Sequence, residues 1–458
     1  MRLLEFLGKL LNIRQGEWGR LSILYTMIVL AATGLNWADA IVQAAFLQRV
    51  GVQYLPWVIV SSAASSIGAL FIYAAFADRL SNTRLLIAIL VISGAGILLG
   101  LLALGAGVVL PAYLLLYLVL QVPLFDLFNV HWATYVNGFY DTRTAKRVVP
   151  VLGTSTRVAG IAAGLTMPLL NRVFDPSAIL LITVASLAVM ASLAATMPRL
   201  LHEQRTDCTR VWGRTPGGVN KHIGTSPAQD RVTASYAARL REGYQQVQGS
   251  PFLRWMALST LAMSILLPLL NYGTSAIFQS QLQTTVAISN FVGVLTGIAN
   301  LVLLTLQLLV LSRLIARLGL GNASLIYPFM SLITVGSLVV APGLGTAALG
   351  YLDRVPLRQA FRLPTDNLLY NAVPQRVKAR TRAFVGGLVM PIGAIAGGLL
   401  LLTPLMHTSW FLSASILVLG LAFVLAALMV RRYYGPALVS LLDQEDYSSL
   451  ALQPLTEQ

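Results

Sequence analysis

One cysteine, four histidines and only 11% charged residues in 458 leave this chain little material for catalysis. A lone Cys208 excludes an intrachain disulfide framework, and Cys208 with His222 is too few ligands for a metal site. No P-loop Gly-Lys-Ser/Thr, HExxH or GxSxG run occurs, so neither an enzyme nor a bound cofactor is expected. Acidic residues are also scarce, 17 against 32 Lys and Arg. That excess could suggest a nucleic-acid partner, but the positions of the charges give a plainer account.

What is there is apolar sequence. The chain is 56% hydrophobic, whereas soluble proteins carry about 25% charged residues. Stretches of about 20 apolar residues, long enough to cross a bilayer, lie near 21–47, 54–77, 85–105, 108–137, 148–171, 177–197, 252–279, 286–311, 322–341, 344–371, 384–404 and 408–430. An all-α integral membrane protein with twelve transmembrane helices is therefore expected. Of the 32 Lys and Arg, 26 fall on one side of that layout: the N-terminus, the even-to-odd loops and the C-terminal flank. By the positive-inside rule both termini are cytoplasmic and the site of residence is the cell (inner) membrane. The expected partners are the lipid bilayer and a small solute, not nucleic acid, and the expected state is a monomer.

Five regions follow. Residues 1–20 interleave apolar residues with Arg2, Glu5, Lys9, Arg14 and Glu17, the pattern of an interfacial amphipathic segment and not of a signal peptide. Residues 21–197 form a first six-helix half, and 252–430 a second. Between them, 198–251 is a polar, basic cytoplasmic loop suited to lying against anionic lipid, and 431–458 is a polar cytoplasmic tail. The halves repeat weakly: aligning Ile161 with Ile395 superposes Asn137 on Asn371, Lys146 on Arg380, Gly153 on Gly387 and Gly164 on Gly398. Two parallel six-helix repeats require equivalent loops at those places.

The few charges inside the apolar stretches carry the functional reading. Arg354, Arg358 and Arg362 stand four residues apart in the tenth stretch, flanked by Asp353 and Asp366. That spacing puts three guanidinium groups on one side of an α-helix. Each costs at least about 2.5–3.5 kcal/mol at the centre of a bilayer, so they must face protein, water or a ligand. Asp39 lies in the first stretch, Asp126 and His131 in the fourth, and Arg157 in the fifth, roughly 15 Å along its helix and too deep to reach the surface easily. Arg157 needs an acidic partner, Asp126 or Asp39, or an anionic ligand. Arg157, Arg354 and Arg358 are the candidates for binding an anion through paired donors. Trp132, Tyr135 and Asn271 are candidates for contacting its ring or edge. Asp39 and Asp126 are candidates for carrying a coupling proton, and His131, Asp353, Arg362 and Asp366 for coupling or ion pairing. Arg362 and Asp366 have the spacing of a local ion pair that would lock the tenth helix structurally.

Twelve helices in two halves joined by a long cytoplasmic loop resemble the major facilitator superfamily. AAFADRLSNTR (residues 74–84) is similar to that superfamily's gating loop between helices two and three, with Asp78, Arg79 and Arg84 in place, although Ala74 and Ser81 stand where the usual motif has glycine. The segments NIRQGEW, WADAIVQAAFLQRVGVQYLPW, FYDTRTAKRVVPVLG and FRLPTDNLLYNAVPQRVKARTRAFVGG resemble the nucleotide-transporter branch, the ATP/ADP translocase-like proteins and their bacterial relatives. The superfamily resemblance implies that helices 1, 4, 7 and 10 line a central cavity, which is where the intramembrane charges lie, with the fifth helix added. It also implies alternating-access transport or exchange of an organic anion, plausibly a nucleotide or other phosphorylated metabolite. The chain departs from the exchangers of that branch at LNWADAIVQ, which has no Lys or Arg in the first helix, and at GTSTRVAG, where a glycine-rich run is the pattern. Two alternatives stand beside this reading: proton-coupled transport of another small solute, and a transport-inactive scaffold or sensor.

Overall fold

The computed structural model describes residues 17–77, 79–140, 142–201 and 241–451, and among these every regular element is helical. The expected amphipathic segment up to residue 16, Asp78 of the gating loop, most of the central loop with Cys208 and His222, and the last seven residues of the tail lie outside the described residues. The first half comprises α1 (Trp18–Arg49), α2 (Leu55–Ala77), α3 (Asn82–Gly105), α4 (Val109–Asn137), α5 (Thr142–Val173) and α6 (Pro176–Leu201). After a short helix at 241–249 come α7 (Pro251–Gln281), α8 (285–318), α9 (Leu320–Val340), α10 (344–372), α11 (375–401) and α12 (Ser409–Ala451).

Local chemistry sets several of these ends. Ser81, Ser250 and Thr284 are extended residues whose hydroxyls accept from the first-turn N–H groups of Arg84, Leu253 and Ala287, satisfying donors that a helix leaves open. Gly51 and Gly319 turn the chain at φ 100° and 74°, where a side chain would be strained. α12 runs through Pro436 to Ala451, well past the expected end at 430, so much of the expected tail continues the last helix.

Eleven of the helices are long and apolar enough to cross a membrane among the described residues. The expected tenth span departs from that pattern. It is built from Leu344–Leu352, a π-helical stretch Asp353–Arg362 and Leu363–Leu369. α4 is interrupted in the same way by a π stretch at Leu120–Leu127. Each has its proline as the fourth residue, Pro123 and Pro356. Proline has no N–H and its ring crowds the carbonyl one turn back, so the i→i+4 ladder cannot pass through it and the helix widens locally.

Within the first half α1 packs on α5 and α6, and α3 on α6 and α4; within the second, α7 packs on α11, α12 and α10, and α9 on α12. The halves meet where α5 and α1 cross α8 and where α2 crosses α11. A Cβ on Gly164 would sit 2.5 Å from both the Gly293 carbonyl oxygen and the Gly297 Cα, so helix backbones touch there and only glycine fits. Polar links extend this seam toward the ends of the helices farthest from the termini. Asn171 donates to Ser289 and to Asn290 at 2.9 and 2.6 Å, Gln48 to the Leu282 carbonyl at 2.9 Å, and the Val52 N–H to Gln279 at 3.0 Å.

At the opposite end each half is tied to its own lead-in. Arg147 pairs with Glu17 at 2.8 Å and Arg380 with Glu242 at 2.6 Å. The second link is backed by a small apolar core of Val247, Phe252, Met256, Leu369, Tyr370 and Val385.

Candidate functional site

The three arginines of α10 do not share one environment. Arg354, Arg358 and Arg362 lie on the π stretch, and two four-residue steps carry the series roughly 12 Å along the helix, so its two ends meet different neighbours. Arg354 sits over the ring of Tyr351, 5.6 Å from its centroid, and is within electrostatic reach of Asp39 of α1 and near Tyr117 of α4, without an ion pair to Asp39 among the described residues. Tyr351 is itself held by a 2.7 Å hydrogen bond to Thr296 of α8. Asp39, Tyr117, Thr296, Tyr351 and Arg354 thus converge from both halves, each about ten residues from the seam end of its helix. That places the cluster roughly 15 Å deep, near the middle of a bilayer.

Arg362 lies elsewhere. It is 2% exposed, its Nε 2.8 Å from Asp366 Oδ2, with a guanidinium nitrogen donating to Ser259 at 3.2 Å and Thr260 at 3.4 Å, and its plane 5.4 Å from the Phe423 ring. The Arg362 Nε–H is not aimed at the carboxylate, so this is an ion pair by proximity and not a well-formed hydrogen bond. Phe423 and Ser259 belong to α12 and α7, so this guanidinium is walled into the second half.

Among the described residues of the expected spans, Arg358 and Arg157 are cations without such partners. The Nε of each is buried and makes no hydrogen bond. Neither acid expected for Arg157 pairs with it: among the described residues Asp39 makes no ion pair, and Asp126 accepts from Ser66 of α2 at 2.5 Å. Arg157 lies one turn before Gly160, whose absent side chain makes room for Asn300 of α8, so it approaches the same junction between the halves. Asp353 is fully buried and accepts from Ser331 of α9 at 2.9 Å.

The remaining expected residues take other places. His131 is fully buried, its Nε2 donating to the Asn82 carbonyl at 2.7 Å and its Nδ1 accepting from Tyr73 at 3.1 Å, so it links α4 to α2 and α3. Trp132 and Tyr135 stack on one another at 5.7 Å within the first half, and Tyr135 is 1% exposed with its hydroxyl toward the Ala194 carbonyl. Asn271 is half-buried on α7, with Ser275 one turn on as its 3.5 Å neighbour. Arg79 and Arg84 are exposed. Tyr117, Thr296 and Tyr351 were not among the residues expected from sequence. Tyr351, one turn before Arg354, carried a usable signal as an aromatic beside an intramembrane cation; Tyr117 and Thr296 carried none.

No protein-family model and no curated protein sequence matches this chain. Solved structures do. The nucleoside transporter NupG is 14% identical over 90% of this chain and 98% of its own, with a TM-score of 0.60. A bacterial homologue of the iron transporter ferroportin matches in its inward-facing state at 14% identity, over 89% of this chain and 98% of its own, with a TM-score of 0.60. In its outward-facing state the same figures are 14%, 91%, 99% and 0.53. At such identities the likeness is one of fold: this chain shares the helical fold of these membrane transporters.

Proposed function

We propose that this chain is a secondary transporter or exchanger of a small organic anion, plausibly a nucleotide or another phosphorylated metabolite, working by alternating access between two six-helix halves. One observation carries the reading: Arg157 from the first half and Arg358 from the second each bury a guanidinium nitrogen with no partner. Both side chains are only partly buried, so their guanidinium groups stay open to a ligand, and an anion lodged between the halves would satisfy both. Arg354 adds a third cation that a solute could draw away from Asp39. Trp132, Tyr135 and Asn271 remain in this reading as contacts for the non-charged part of a solute in another stage of the cycle.

In this reading α10 also crosses the membrane, as the tenth of twelve spans, both termini and the central loop are cytoplasmic, and the protein works as a monomer in the cell membrane. The glycine and asparagine seam then closes the outer side, and the conformation is the inward-facing one. The neighbours support that state, since the ferroportin homologue resembles this chain more in its inward-facing than in its outward-facing form.

Thermal-shift titration of the purified protein with nucleotides, sugar phosphates and carboxylates, followed by uptake in proteoliposomes, tests the proposal. Arg354→Gln and Arg358→Gln should each weaken binding of the stabilising anion by roughly ten- to a hundredfold, the worth of about 1.5–3 kcal/mol for a charged hydrogen bond. Variants that bind normally but melt early would make the arginines structural and leave the anion without its site.

A further inference from the structure

Around the proposed solute site three hydrogen-bonding atoms are buried and unpaired, and they are not all of one kind. The Nε–H groups of Arg157 and Arg358 are donors, whereas Oε1 of Gln359, the next residue along α10, is an acceptor. Within the π stretch Asp353, Pro356, Ala360, Phe361 and Arg362 are buried, while Arg358 and Gln359 stand side by side, partly exposed. An anion alone answers the two donors and leaves the acceptor unexplained.

Two contacts fix how deep these atoms lie relative to one another. Gly160 of α5 lies against Asn300 of α8, and Thr296 of α8 bonds to Tyr351 of α10. Asn300 stands one turn past Thr296, about 6 Å further from the seam end. Arg157 precedes Gly160 by three residues on α5, which runs antiparallel to α8, and this adds about 4.5 Å in the same direction. Arg358 follows Tyr351 by seven residues on α10, which runs parallel to α8, and so lies about 10 Å past the Tyr351–Thr296 bond, as Arg157 does. Arg157, Arg358 and Gln359 therefore share one layer, reached from both halves, with α8 packed against both α5 and the π stretch. At that level α8 presents Val302, Leu303 and Leu304, whose side chains have no polar atom to offer.

We infer that the solute bears a hydrogen-bond donor, a hydroxyl or an amino group, beside its anionic group, and that Gln359 accepts from that donor and so sets specificity. The inference rests on the anion reading above and narrows its substrate class. An ion that offers acceptors only, such as a fully ionised dicarboxylate without a hydroxyl, answers both arginines but leaves the Gln359 oxygen buried and unpaired. A phosphorylated polyol, sugar or nucleotide offers both kinds of atom. Its phosphate oxygens accept from Arg157 and Arg358, and one of its O–H or N–H groups donates to Gln359 Oε1. A site that holds a buried polar atom for a particular donor discriminates against the analogue that lacks it.

The experiment titrates the full-length protein in detergent by thermal shift with two matched pairs, glycerol 3-phosphate against propyl phosphate and L-malate against succinate. A mildly alkaline buffer gives both members of a pair the same charge. In the wild type the hydroxylated member of each pair that binds should bind more tightly by roughly two- to twelvefold, the range of one neutral hydrogen bond. Gln359→Leu should erase that difference by weakening the hydroxylated member alone. Should Gln359→Leu not fold, Gln359→Met, close to the native side chain in length, takes its place, and the wild-type comparison stands by itself: equal affinity within every pair that binds overturns the inference. A preference that survives the substitution, or a loss shared equally by both members, also overturns it and leaves the anion reading intact. Absence of stabilisation by every probe overturns the anion reading, and the inference with it.

Discussion

Replacing Gly164 by alanine should push the protein out of the conformation described here. The added Cβ meets backbone and not a movable side chain: the Gly293 carbonyl oxygen and the Gly297 Cα at 2.5 Å, and the Gly297 nitrogen closer still. Ordinary contacts for such an atom begin at 3.4 Å, so α5 and α8 must part by about 1 Å or the change cannot be accommodated, and overpacking of this kind costs roughly 1–3 kcal/mol. The cost falls on the closed seam alone, because a conformation in which α5 and α8 separate has room for the methyl group. A penalty of that size moves a two-state equilibrium by about 5- to 150-fold. In a Cys208→Ser background, a cysteine placed at the fully buried Ser289 reports it: in nanodiscs Gly164→Ala should raise the rate of maleimide labelling by that factor. Gly386→Ala, which meets nothing within 4 Å, should leave the rate alone. Equal labelling of Gly164→Ala and its parent would refute the close approach of the two backbones and the gating role drawn from it.

Three further outcomes are expected. Arg362→Gln should lower the melting temperature and leave anion affinity within about twofold, because it removes a buried guanidinium held by Ser259 and Thr260 and the counter-ion of the half-buried Asp366; a large loss of affinity with normal melting would place Arg362 in the solute site. Asp39→Asn or Asp126→Asn should change the pH profile of transport in folded protein if either carboxylate carries protons, and an unaltered profile in both would remove these two groups from coupling. Labelling of the single native Cys208 in oriented membranes should occur from the cytoplasmic face, and exclusive labelling from the outer face would overturn the topology drawn from the 26 basic residues on one side.

Interactions between residues close along the chain were readable in the sequence, and those between distant residues were not. Arg362 and Asp366 could be paired on paper because four residues make one helical turn, and they are paired in the fold. Arg354 and Asp39 are separated by most of the chain, and nothing in either segment names the other. Arg157 shows the same limit: its depth was readable, but neither acid expected for it pairs with it, Asp126 accepting from Ser66 and Asp39 making no ion pair among the described residues. The glycines at 164, 293 and 297 announce close packing, yet their mutual contact is a property of the two helices together. The π stretches of α4 and α10 leave only a proline as their mark, and proline alone signals a kink as readily as a widening. The four-residue spacing of the arginines gave their side of the helix but not the different neighbours that each meets along it.

The two widened stretches bear on how such a molecule could move. They sit on α4 and α10, one in each half, with proline at the same place in each, and each holds an aspartate bonded to a serine of a neighbouring helix, Asp126 to Ser66 and Asp353 to Ser331. A π turn has already given up regular i→i+4 bonding, so it can shift by a residue at less cost than an intact helix. The seam between the halves is instead built of glycine backbone and neutral amides, and among the described residues no ion pair crosses it. Closure of the seam therefore depends on shape, while the charges lie on the stretches of helix best able to adjust. A solute that rearranges Arg354 and Arg358 acts directly on the α10 stretch and reaches the seam through Tyr351 and Thr296, the hydrogen bond that joins α10 to α8.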